Sequence, residues 1–145
     1  MFNPFMHMAL EQGEIAFQKG EVPVGAVIVK DNKVIAKAYN LRETENCAVS
    51  HAEIIAIKNA CEALGTWRLD DCSIYVTLEP CIMCTGAILN ARLKNVYYGS
   101  YDKNNAALEM VIHHLKPSVT PSVYGGIMEN ECNQLLEKFF NSIRK

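Results

Sequence analysis

The order of apolar and polar positions divides the chain into alternating helical and extended stretches. Asn3 followed by Pro4 forms a helix start, because an Asn side chain accepts from the first free N–H groups and Pro has no N–H to lose. From there Phe5, Met8, Ala9, Ile15 and Ala16 fall on one helical stripe and Met6, Leu10 and Phe17 on a second, up to a stop at Gly20. The second stripe reads either as further core or as a subunit contact. Residues 24–29 and 34–39 are apolar, β-branched runs joined by Asp31-Asn32, which predicts a hairpin with at least one strand covered on both faces. Residues 41–49 have no period and read as a loop. A helix follows from Ser50 to about Leu64, with Ile54, Ile57, Ala60, Cys61 and Leu64 inward and Gly65 as its stop.

Residues 73–78 form the third predicted strand. The next helix takes Pro80 into its first turn, ends near Ala91 and is apolar almost all round, so it must be buried on more than one side. A fourth strand over 96–99, a polar loop over 101–105 and a short helix over 106–114 come next, then an irregular, Pro-bounded stretch over 116–121. The pattern closes with a short strand around Val123 and Tyr124 and a helix over 128–142. In that helix Met128, Cys132, Leu135, Leu136, Phe139 and Ile143 share one face. Such alternation predicts an α/β fold with helices layered against a mixed five-stranded sheet.

Composition narrows the class. With 145 residues, half of them apolar, and a net charge of -2, residues 1–145 fit one compact domain around one core. A pI of about 6.1 argues against a strongly basic nucleic-acid binder. The Met1-Phe2-Asn3-Pro4 start lacks a basic region followed by an apolar run, and no stretch approaches the roughly 20 apolar residues of a membrane span, so a cytoplasmic protein without membrane contact is expected. The cysteines at 47, 61, 72, 81, 84 and 132 lack the framework of a small secreted domain and read as reduced thiols or metal ligands.

Two motifs carry chemistry: Ser50-His51-Ala52-Glu53, and Thr77-Leu78-Glu79-Pro80-Cys81-Ile82-Met83-Cys84. One imidazole and two thiols, His51, Cys81 and Cys84, make three zinc ligands, the number a catalytic zinc keeps while a fourth position stays open for water. Cys81 and Cys84 stand one turn apart at the positive end of a helix, which favours thiolates. Glu53 beside His51 is a carboxylate of the kind that moves protons on and off such a water. Its plainer role is a capping box with Ser50. Two further readings stay open at this point. A strand followed by Cys-x-x-Cys at a helix start is also how a redox dithiol presents itself. A closed structural zinc site would need Cys47 or a second His as fourth ligand.

His51-x-Glu53 with Pro80-Cys81-x-x-Cys84 is the signature of the zinc nucleobase deaminases. The match extends over residues 21–27, 51–54 and 77–87 and over the terminal stretch from Glu131-Cys132 to Phe139-Phe140, so that nearly the full chain resembles the bacterial tRNA-specific adenosine deaminases. That resemblance implies a three-layer cytidine-deaminase-like fold with helices on both sheet faces, and a homodimer converting adenosine to inosine at the wobble position of a tRNA anticodon stem-loop. By motif it makes His51, Cys81 and Cys84 the ligands of one zinc per subunit and Glu53 the proton shuttle, with no organic cofactor. It assigns substrate contacts to Asn40, Ala52, Asp102 and Phe140, the last able either to pack or to stack on a base. Lys103, Lys138, Arg144 and Lys145 are candidate phosphate-facing cations. The chain departs from the family after Asp102, where residues 103–109 replace a longer Gly- and Ala-rich loop. A deaminase of a free base or nucleotide, of guanine or cytosine type, remains the alternative, since it would share the zinc chemistry and differ only in the pocket.

Overall fold

The structure is a computed structural model that describes residues 1–105 and 107–144. Ala106, the expected start of a short helix, and Lys145, one of the candidate phosphate-facing cations, lie outside the described residues. The elements run α1 (Pro4–Gln18), β1 (Gly25–Lys30), β2 (Lys33–Tyr39), α2 (Ala52–Leu64), β3 (Cys72–Leu78), α3 (Ile82–Ala91), β4 (Asn95–Ser100), α4 (Leu108–Leu115), β5 (Ser122–Tyr124) and α5 (Glu129–Ile143). The strands form one sheet in the order β2-β1-β3-β4-β5. β1 is antiparallel to β2 and β3, whereas β3, β4 and β5 run parallel. The fold is therefore the expected α/β arrangement on a mixed five-stranded sheet.

Local chemistry explains the turns. Asp31 and Asn32 both take positive φ, 52° and 61°, the geometry of a two-residue type I′ hairpin turn. Asn3 caps α1, its Oδ1 accepting from the N–H groups of Phe5 and Met6. Gly65 ends α2 at φ 68°.

Successive β1 side chains feed two cores, which is why that strand is apolar at nearly every position. Ala26 and Ile28 pack with Ile74, Val76 and Val96 beneath Ala52, Ala56 and Ala60 of α2, Ile88 of α3 and Leu108 of α4. Val27 and Val29 pack with Tyr75 against Met6 and Ala9 of α1 and Cys132 of α5. Helices thus cover both faces, giving three layers.

Three expectations need correction. The core-facing line of α1 is Met6, Ala9, Gly13 and Ala16, which runs between the two predicted stripes, and Ile15 faces outward. The reason is close approach rather than hydrophobicity. A Cβ on Gly25 would sit 2.5 Å from the Gly13 nitrogen and closer still to the Ala9 carbonyl oxygen, so α1 lies directly on β1. The second correction concerns α2, which starts at Ala52 and not at Ser50. Ser50 turns away and its hydroxyl donates to Glu45 Oε1 at 2.6 Å, so the capping box with Glu53 does not form. The third concerns α3, which starts at Ile82, leaving Pro80 outside the helix and Cys81 at its N-cap position.

Candidate active site

These helix starts build the site. His51 and Cys81 are the N-cap residues of α2 and α3, both with extended backbone (φ -75°, ψ 153° and φ -73°, ψ 178°), and neither side chain makes a capping hydrogen bond. Their side chains are free to turn towards each other, and Cys84, in the first turn of α3, joins them. Nδ1 of His51 lies 3.7 Å from Cys81 Sγ and 3.5 Å from Cys84 Sγ, and all three donor atoms lie within 4.8 Å of one another. A tetrahedral ion with bonds of about 2.3 Å to sulfur and about 2.0–2.1 Å to nitrogen holds such pairs roughly 3.6 Å apart. The donor set therefore fits a tetrahedral divalent cation in both element type and spacing.

The electrostatics agree with that fit. The hydrogen bond with Cys84, and next that with His51, pushes the Cys81 thiol down to about 3. The same contact raises Cys84, and contact with Cys81 raises His51. A cation bound there would take the place of the proton that the two thiols otherwise share. Among the described residues only these three form such a group. Cys47 is not part of it, so the closed structural site with Cys47 as fourth ligand is not built. The redox reading is weakened by the same geometry, because it gives His51 no role.

A cavity of about 390 Å³ opens beside the cluster, lined by His51, Glu53, Asn40, Asp102, Leu78 and Ile82 among others. That is the size range of a small-molecule site. Glu53, 4% exposed in the first turn of α2, reaches it, and burial pushes its carboxyl up to about 7. A carboxyl that changes protonation near neutrality can both take and give a proton there. Ala52 also lines the cavity, so three of the four expected substrate contacts, Asn40, Ala52 and Asp102, share one wall system with the cluster. Phe140 does not. It lies on α5, 39% exposed and edge-on to Phe139.

The sequence reading missed two charged lining residues, Glu79 and Arg42. Glu79 is buried beside Cys81, and its Oε1 accepts the Asp102 N–H at 3.0 Å, while Asp102 Oδ1 accepts from the N–H groups of Asn104 and Asn105. Burial raises the Glu79 carboxyl. Its place directly before Pro80 in the metal motif was the available signal. Arg42 sits on the rim, in a loop without periodicity, and only folding brings it there.

Comparison with known proteins agrees with this geometry. A family model for MafB19-like deaminases matches residues 3–144. A tRNA-specific adenosine deaminase of Rickettsia bellii is 46% identical over 144 residues, covering 96% of this chain and 99% of that protein. One of Bacillus subtilis is 42% identical over 144 residues, covering 97% and 89%. A solved structure from work on A-to-I editing by tRNA:A34 deaminases at the wobble position of transfer RNA superposes with a TM-score of 0.85 at 42% identity, covering 91% of this chain and 98% of that one. With the deaminase motifs on two helix starts, a buried carboxyl between them and full-length identity of this order, the chain belongs to the tRNA-specific adenosine deaminase family.

Proposed function

We propose that this protein hydrolyses adenosine to inosine at the wobble position of a tRNA anticodon, releasing ammonia. The observation that carries the reading is the meeting of His51, Cys81, Cys84 and the buried Glu53 at one cavity, together with near-full-length likeness to proteins of that name. His51, Cys81 and Cys84 hold one zinc ion per chain. Zinc bound there supplies a water whose pKa is lowered towards neutrality.

The chain's own groups do the rest. Glu53 takes a proton from the attacking water and passes it to a ring nitrogen of adenine as the C6–O bond forms, then takes the second proton from the new C6 hydroxyl and delivers it to the departing amine as the C6–N bond breaks and the carbonyl forms. Water supplies the oxygen, and ammonia carries away the nitrogen. Asn40 orients the base through its amide. Leu78 and Ile82, on the cavity wall, help exclude bulk water. Ala52 and Asp102 contact the nucleotide, and Phe140, on a separate surface, stacks on a flanking base. A negative net charge does not oppose this, because a flipped base is read by pocket contacts and phosphates by local cations.

The whole chain acts as one deaminase domain, in a homodimer. The support for a dimer is the outer face of α3, where the apolar Met83, Ala87 and Leu89 are only half-buried. A cytoplasmic location follows from the substrate. No described helix is long and apolar enough to cross a membrane.

Incubation with an anticodon stem-loop carrying adenosine at the wobble position should yield inosine far faster than incubation with free adenosine, guanine or cytidine. Comparable turnover of a free base with no inosine in the stem-loop would move the assignment to the free-base alternative. Sedimentation should give a dimer, and a stable, active monomer would refute that part.

A further inference from the structure

One buried charge is left unused by the reaction. Glu21, just beyond α1, is 1% exposed, yet it touches neither the metal cluster nor the cavity. Its Oε1 accepts the Glu43 N–H at 3.1 Å, and its Oε2 accepts both the N–H and the hydroxyl of Thr44 at 2.6 Å. Burial by itself would raise this carboxyl, but the hydrogen bonds from Thr44 and Glu43 outweigh it and hold Glu21 below the usual carboxylate range. The carboxylate is therefore ionised and accepts three hydrogen bonds from one loop, residues 40–47.

Within that loop the N–H groups of Glu45, Asn46 and Cys47 close turns on the Leu41, Glu43 and Arg42 carbonyls at 2.9, 3.2 and 3.0 Å. Residues 42–46 are all exposed. Its start is tied to the same segment that carries Glu21. The Asn40 N–H donates to the Val24 carbonyl at 3.0 Å, Asn40 Nδ2 donates to the Val22 carbonyl at 3.2 Å, and Asn40 Oδ1 accepts the Arg42 N–H at 3.2 Å. These bonds fix the amide's orientation while leaving one Nδ2 hydrogen free for a ligand. Both Asn40 and Arg42 line the cavity, and among the described residues Arg42 is the only Lys or Arg that does. The turns set the loop's local shape, and the Glu21 carboxylate anchors it from the protein interior at Glu43 and Thr44, so it is in position to act as a strut for the amide and the cation the loop presents.

We propose that Glu21 is a positioning residue for the reaction: its carboxylate holds the 40–47 loop so that Asn40 meets the base and Arg42 meets a phosphate of the polynucleotide. This rests on the reading of the chain as a tRNA deaminase. Free bases lack that phosphate, so the device favours a nucleic-acid substrate.

The test uses the full-length, metal-loaded protein. Glu21→Gln is nearly isosteric and keeps one acceptor, but it sets an NH2 group against the two Thr44 donors. Thr44→Val removes one of those donors at an exposed loop position. For each, KM should rise between about tenfold and a hundredfold on the stem-loop, the cost of misplacing substrate-holding groups by an ångström or less. Metal content should be unchanged, amide exchange at Glu43 and Thr44 faster, and the double variant no worse than the worse single. Wild-type KM and kcat/KM with only a lowered Tm would overturn the proposal and leave Glu21 a purely structural residue. If Glu21→Gln does not fold, Thr44→Val decides alone, and wild-type kinetics for it would overturn the proposal. If the wild type makes no inosine in the stem-loop, it is the functional reading that fails. The same variants are then compared on whichever free base is turned over, and unchanged kinetics and amide exchange would overturn the positioning role as well.

Discussion

Replacing Glu53 with Gln separates a catalytic carboxyl from a structural one. In the structure Glu53 is 4% exposed, lies in the first turn of α2 and does not form a capping box, because the Ser50 hydroxyl is committed to Glu45. An amide fills the same space but cannot shuttle a proton. General acid–base catalysis contributes about 10²–10⁴-fold per transfer, and Glu53 serves several transfers, so kcat should fall at least about 10³-fold, or roughly 4 kcal/mol at about 1.36 kcal/mol per tenfold. The stability change should be far smaller. Loss of a first-turn charge costs about 0.3–1 kcal/mol at the positive end of a helix, offset by removing an ionisable group from a buried place. The net Tm shift should stay within about 4 °C for a chain of this size. Inosine formed in the stem-loop, bound metal per chain and thermal melting are measured on the same preparations. Activity within tenfold of wild type, accompanied by a stability loss above about 1 kcal/mol, would refute the catalytic role and make Glu53 a helix-start residue.

Gly25→Ala should cost about 3 kcal/mol or more, the upper range for overpacking, and lower Tm by roughly 6 °C or more, since the new methyl would meet backbone atoms of α1 that cannot rotate aside; a Tm within about 2 °C of wild type would mean that α1 does not lie on β1 this closely. Cys84→Ala should drop bound metal well below one per chain after dialysis, whereas Cys47→Ala should keep it, because Cys47 lies outside the three-ligand group; elemental analysis reads both, and metal lost equally from each would contradict the geometry. Glu21 has a lowered folded-state pKa, so its contribution is complete above the ordinary carboxylate range and is lost as pH falls through its lowered value. Protection of the Thr44 amide, measured relative to its intrinsic exchange rate at each pH, should therefore be lost only in acid, and its loss at neutral pH would refute the strut.

Sequence alone determined which segments are helix or strand, because the 3.6- and 2-residue periods and the signals at Asn3, Asp31-Asn32 and Gly65 are local. It also named His51, Cys81 and Cys84, which the structure brings together as a donor group, and the Glu53 buried beside them, since helix-start chemistry at fixed spacing is written in consecutive residues. Tertiary structure decided what depends on distance between segments far apart in sequence. The helix starts fell at Ala52 and Ile82, because His51 and Cys81 turn their side chains towards one another instead of capping. The buried line of α1 followed Gly13 and Ala9, since the close approach of β1 at Gly25 requires small residues there. Arg42 and Glu79 reached the cavity only through loops held by hydrogen bonds, such as the 2.6 Å contact between Glu21 and Thr44, 23 positions apart in sequence. Loops carry no hydrophobic period, and the carboxylates that shape them are buried by partners the local sequence does not reveal.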